Sequence, residues 1–91
     1  MFMQSPSLTK VYLKELGHRI RLLRTYLKLD QKDLAEMTGI AQSQISKIET
    51  GQSAPTLNQI IQIKKITEQM TEGTESFPWR WILEGKGKGL F

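Results

Sequence analysis

From Gln42 to Lys47 the chain reads Gln42-Ser43-Gln44-Ile45-Ser46-Lys47, and its polar members are two amides, two hydroxyls and one ammonium with no carboxylate among them. Groups of this kind recognise rather than react. A Gln amide matches N6 and N7 of adenine in a bidentate pair, a Lys reaches O6 and N7 of guanine, and a Ser bonds a base or a phosphate. A helix face that is merely solvated more often mixes Glu with Lys. Removing the carboxylates removes repulsion from phosphates, which dominate affinity for nucleic acid.

The residues that could support other chemistry are sparse. His18 is the only histidine and there is no Cys, so neither a zinc site nor a Cys-His pair can be assembled. Ser43 and Ser46 have no histidine nearby, and Lys47 falls one residue too late for a Ser-x-x-Lys arrangement. Gly85-Lys86-Gly87-Lys88-Gly89 lacks the strand-to-helix context and spacing of a phosphate-binding loop. Glu68, Glu72 and Glu75 read as a solvated acidic loop. The expectation is a protein that is not an enzyme and takes no cofactor or metal.

To present Gln42 to Lys47 on one side, the chain must fold that segment as a helix anchored by Ile45 and Ile48. The preceding elements supply the anchor. Leu13, Leu16, Ile20, Leu23 and Leu27 repeat at 3, 4, 3, 4 and predict a first amphipathic helix that begins as early as Ser7. Asp30 is placed to cap a second helix with Asp33 in its first turn, running to about Thr38. Gly39 allows a sharp turn into the third helix, Gln42 to Glu49, and Gly51 stops it. Counted from Gln31 as the first of twenty residues ending at Thr50, Leu34, Ala35, Gly39, Ile40, Ile45 and Ile48 fall at the positions where a helix-turn-helix needs apolar contact, a small crossing residue and a turn glycine.

Thr56 and Gln59 are spaced as a capping box for a fourth helix, with Leu57, Ile60 and Ile61 on one side and Ile63, Ile66 and Met70 on the other. That helix is therefore expected either to be covered on two faces or to change course near Lys64-Lys65. Glu68 to Ser76 reads as a loop, Ser76 as the cap of a last short helix from Phe77 to Leu83, and residues 86–91 as a flexible tail. No strand pattern of convincing length appears. The expected architecture is all-α with five helices.

A chain of 91 residues is one domain's worth. Its 13 Lys+Arg against 9 Asp+Glu and its pI of 9.6 permit an anionic partner without proving one. Position says more, because residues 1 to 30 carry Lys10, Lys14, Arg19, Arg21, Arg24 and Lys28 against only Glu15 and Asp30. The start lacks the basic and apolar regions of a signal peptide and no apolar run would span a bilayer, so a cytoplasmic protein without membrane partners is expected, associated with the nucleoid when bound.

Leu29-Asp30-Gln31-Lys32-Asp33-Leu34-Ala35 with Gly39, then Gln42 through Gly51 and Pro55-Thr56-Leu57, resembles the lambda-repressor/Cro-like helix-turn-helix family of phage and bacterial regulators. The resemblance covers residues 16–66, with 31–50 the motif itself, and Trp81-Ile82-Leu83-Glu84-Gly85 is similar to the fifth-helix ending of phage repressor heads, residues 76–85. It implies a compact five-helix domain with Gln42 to Glu49 as the recognition helix. By position, Gln42, Ser43 and Lys47 would face base edges. Gln31 would bond a phosphate and buttress Gln42, while Gln44, Ser46 and the backbone N–H groups of Gly51, Gln52 and Ser53 would touch phosphate. Arg24 and Glu49 would form a structural ion pair between helices 1 and 3. Three departures stand out: Ala41 replaces a capping Ser or Thr, Lys64 replaces a small apolar residue, and helix 1 is longer at its N-terminus than the family needs.

The function implied is sequence-specific regulation of transcription by a repressor that binds a palindromic operator in double-stranded DNA as a homodimer. Phe77, Trp79 and Trp81, three large aromatics in five residues, are candidates for a dimer or partner contact, as is the segment Leu8, Val11, Tyr12 and Leu13. They also frame a second reading, an antitoxin-like module on the same fold that masks a toxin or another regulator.

Overall fold

The computed structural model describes residues 6–71, 79–86 and 89. Five helices account for most of them: α1 (Pro6–Tyr26), α2 (Gln31–Thr38), α3 (Gln42–Glu49), α4 (Leu57–Met70) and α5 (Trp79–Glu84). No strand occurs among the described residues.

The apolar stripe of α1 is buried at its middle, while Leu13 is half-buried and Leu27, also half-buried, falls just beyond the helix. Leu16, Ile20 and Leu23 are buried in one core with Leu34, Ile40, Ile45, Ile48, Ile63 and Ile82, so every helix contributes to a single cluster. Helix α1 packs on α3 and α5, and α2 packs on α3 and α4. At the end of α1 the amide of Leu29 donates to the carbonyl of Arg24 and that of Lys28 to Thr25, closing the helix with Lys28 in the left-handed region at φ 61°. A glycine would adopt that conformation without the Cβ crowding that Lys28 accepts.

Helix α2 begins with a full capping box. The Asp30 carboxylate accepts from the Asp33 amide at 2.7 Å and the Asp33 carboxylate accepts from the Asp30 amide at 3.2 Å. The turn into α3 depends on Gly39 at φ 78° and on buried Thr38, whose hydroxyl donates to the Leu34 carbonyl at 2.7 Å and accepts from the Ile40 amide at 3.2 Å.

Helix α4 differs from expectation in two ways. It runs as one uninterrupted helix and is not covered on two faces: Ile63 and Thr67 are buried, Ile60 and Ile66 half-buried, and Leu57 (74% exposed) and Ile61 (40%) stand open with Lys64 and Lys65. It also continues through Glu68 and Gln69 to Met70, past Glu68, where the following loop is expected to begin. Glu and Gln are good helix formers, and fully buried Thr67 fixes the turn they extend. The remainder of that loop, the Ser76 cap and Phe77 lie outside the described residues. Helix α5 closes at Gly85, whose amide donates to the Trp81 carbonyl.

Candidate nucleic-acid interface

Helix α3 separates its residues by face. Ile45, Ile48 and Glu49 point into the protein and are buried, while Gln42, Ser43 and Lys47 are exposed on the opposite side, with Gln44 and Ser46 half-buried at the margins. The helix period of 3.6 places residues 42, 43, 46 and 47 on one face. That face carries hydrogen-bond donors and acceptors and one positive charge, and no carboxylate.

The only carboxylate of α3 is turned inward and neutralised. Glu49 accepts from Arg24 Nε at 2.6 Å and Nη2 at 3.0 Å, and its side chain is 3% exposed. Arg24 also donates through Nη1 to the Leu29 carbonyl at 2.9 Å, so one guanidinium ties α1 to α3 and to the start of the α2 cap. The fork geometry suits a planar guanidinium and no other side chain. The hydrogen bond to Glu49 outweighs burial and raises the Arg24 pKa above its already high ordinary value.

Gln31 departs from its expected role. Its amide donates to Glu49 Oε1 at 3.0 Å, and among the described residues it makes no bond to Gln42. The reason is proximity to a stronger acceptor, since a bond to a carboxylate is about twice as strong as one to a neutral amide. A second amide hydrogen of Gln31 remains to donate outward. Gln42 is thereby left unbuttressed and exposed.

The stretch after α3 also differs in detail. The amides of Gly51, Gln52 and Ser53 donate back to the carbonyls of Ile48, Lys47 and Lys47 at 3.1, 2.8 and 3.2 Å. They close the helix and are not presented outward, so any phosphate contact from this stretch falls to side chains such as exposed Gln52. At the other end, Ala41 provides no side-chain cap for α3. Among the described residues the amides of Gln42 and Ser43 have no acceptor, as is usual for the first residues of an uncapped helix.

Trp79 and Trp81 are half-buried and pack against the core, so they are at least in part structural. Val11 and Tyr12 are exposed, and the Tyr12 hydroxyl donates to the Leu83 carbonyl at 2.8 Å. A position the sequence reading overlooked is Gly17, in the middle of α1. A Cβ there would stand 2.8 Å from the Glu49 carbonyl oxygen and closer still to that of Ile48, so the missing side chain lets the end of α3 rest on the α1 backbone. The signal was present as the one glycine interrupting an otherwise regular helical stripe.

Among the described residues no group of His, Asp and Glu side chains could hold a metal ion, and no helix is long and apolar enough to cross a membrane.

Two short helices joined through a left-handed glycine, the second presenting a carboxylate-free polar face, define a helix-turn-helix head of the DNA-binding class. The helix-turn-helix family model matches residues 20–67, more than half of the chain, and the chain belongs to that family, the Cro/C1-type DNA-binding regulators. The curated proteins and the solved structures give no match.

Proposed function

We propose that the protein is a sequence-specific repressor that binds a palindromic operator as a homodimer, with α3 in the major groove. The observation that carries this reading is the division of α3, with Gln42, Ser43 and Lys47 together on the open face and its single carboxylate, Glu49, locked inward by Arg24 and Gln31. Gln42, Ser43 and Lys47 read base edges, while Gln31, Gln44, Ser46, Gln52 and Ser53 set register against phosphates. Two copies related by a two-fold axis would place their α3 helices about 34 Å apart, one turn of the duplex. The open Leu57 and Ile61, one turn apart on α4, give a second copy apolar surface to cover.

The test is selection of bound duplexes from a random pool at two salt concentrations. Enrichment of an inverted repeat with half-sites about 10 base pairs apart supports the reading. Binding that is salt-sensitive but blind to sequence, or no binding, contradicts it and favours the masking module of the second reading.

A further inference from the structure

Helix α1 has two working faces, and one of them continues past the motif. At 100° per residue, Lys10, Lys14, Gly17 and Arg24 lie on one stripe, with Tyr12 and Arg19 on the opposite side. The second side is committed to α5: Tyr12 donates to the Leu83 carbonyl and Arg19 Nε donates to the Ile82 carbonyl at 2.8 Å. The first side faces the recognition helix and the loop that leaves it. Arg24 pairs with Glu49, Gly17 meets the last carbonyls of α3, and Lys14 lies against the loop after α3. A Cβ placed on Gly51 would stand 2.8 Å from Lys14 Cγ and 2.9 Å from Lys14 Cα. Lys10 is one turn further, about 6 Å along the same stripe.

Lys10 and Lys14 are exposed, and among the described residues neither has an ion-pair partner. No carboxylate occurs between Pro6 and Lys14 or on the loop from Thr50 to Thr56, and exposed Glu15, the next residue, lies about 100° round the helix from Lys14. Both lysines precede residue 20, where the family match begins. They thus lie on the first turns of α1, ahead of the family match, with Lys14 beside the loop that leaves α3.

We infer that Lys10 and Lys14 form a phosphate clamp on the DNA backbone flanking each half-site, lengthening the footprint beyond the bases that α3 reads. This inference rests on the DNA-binding reading above. Lysine suits the role because a compact ammonium on a flexible stem follows a phosphate without demanding a base. Lys14 is positioned by its contact with Gly51, and Lys10 follows by helix geometry. The clamp adds affinity and salt sensitivity and leaves sequence preference unchanged.

The experiment compares the full chain with the K10A/K14A double variant on the selected duplex, first with long flanks and then trimmed to the half-sites, over a salt series. Circular dichroism melting checks that the variant is folded. The expected result is binding to the long duplex weakened on the order of tenfold at low salt, with the salt slope reduced by about 0.9 per lysine engaged and the preference over random duplex retained. The trimmed duplex should bind both proteins nearly alike. Equal affinity and slope on the long duplex, with the full chain still preferring the selected sequence, overturn the clamp while the DNA-binding reading stands. A wild-type chain that prefers no sequence overturns the underlying reading instead.

Discussion

Arg24 and Glu49 are joined by two side-chain hydrogen bonds of 2.6 and 3.0 Å across the α1–α3 crossing, and Gln31 of α2 donates to the same carboxylate. Three helices therefore meet at one buried charge. The pair holds α3 in orientation against α1 and keeps its one negative charge away from the open face of Gln42, Ser43 and Lys47.

Removing Arg24 strands a carboxylate that is 3% exposed, with Gln31 alone left to bond it among the described residues. Breaking a buried pair from one side costs about 3 to 5 kcal/mol, and because Arg24 retains some exposure the lower end applies to Arg24→Ala. Thermal melting should show the loss, and the double variant Arg24→Met/Glu49→Met should recover much of it. An unchanged melting temperature for Arg24→Ala would show that the pair carries no structural weight.

At Gly17 two effects oppose each other. Alanine is the better helix former by about 1 kcal/mol, but its Cβ would collide with the backbone carbonyls of Ile48 and Glu49, where no flexible side chain can yield. Overpacking of this kind costs about 1 to 3 kcal/mol and more where backbone must move, so a net loss is expected for Gly17→Ala. Chemical denaturation decides the sign, and a stabilised variant would mean that α1 and α3 are less closely packed.

Ala41 leaves α3 uncapped although its backbone, at φ −59° and ψ 141°, already has the extended form of a capping residue. Ala41→Ser should therefore stabilise the protein by about 1 kcal/mol, raising the melting temperature by several degrees. A neutral or destabilising result would indicate that the serine hydroxyl does not reach the first-turn amides.

The Asp30 cap makes stability depend on acid. The Asp33 amide donating to its carboxylate holds the Asp30 pKa below the usual carboxylate range, the slight burial opposing this being the smaller effect. Because the folded value lies below the unfolded one, the contribution is complete above about pH 4 and is lost as pH falls through the folded value. Asp30→Asn keeps a capping oxygen without the titration. Melting from pH 7 down to pH 2 should show the wild type losing stability relative to this variant in the acid range, and parallel curves would exclude the cap as a source of acid sensitivity.

Much of this molecule was legible in the amino-acid sequence because its signals are local. Asp30, Gly39, Thr56 and Gly85 each act within four residues, and the α1 stripe alone sets the core-facing side of the longest helix. What escaped depends on distant neighbours. The choice of Gln31 for Glu49 over Gln42 requires three helices to be in place, and the end of α4 at Met70 depends on burial of Thr67. Lys28 hides its left-handed turn for a related reason, since a lysine gives no warning of a positive φ. For the candidate site, the face of α3 follows from helical spacing, whereas the inward use of the Gly51–Ser53 amides does not.

Sequence reading by the open face of α3 turns on Gln42 and Lys47. Its most direct test is the affinity of Gln42→Ala and Lys47→Ala, both exposed and therefore expected to fold, for the selected operator and for random duplex at one fixed salt concentration. Each substitution should cost about 1 to 3 kcal/mol on the operator and relax the preference at one base position, with the smaller effect on random duplex. If both variants bind operator and random duplex as the wild type does, α3 is not the reading helix.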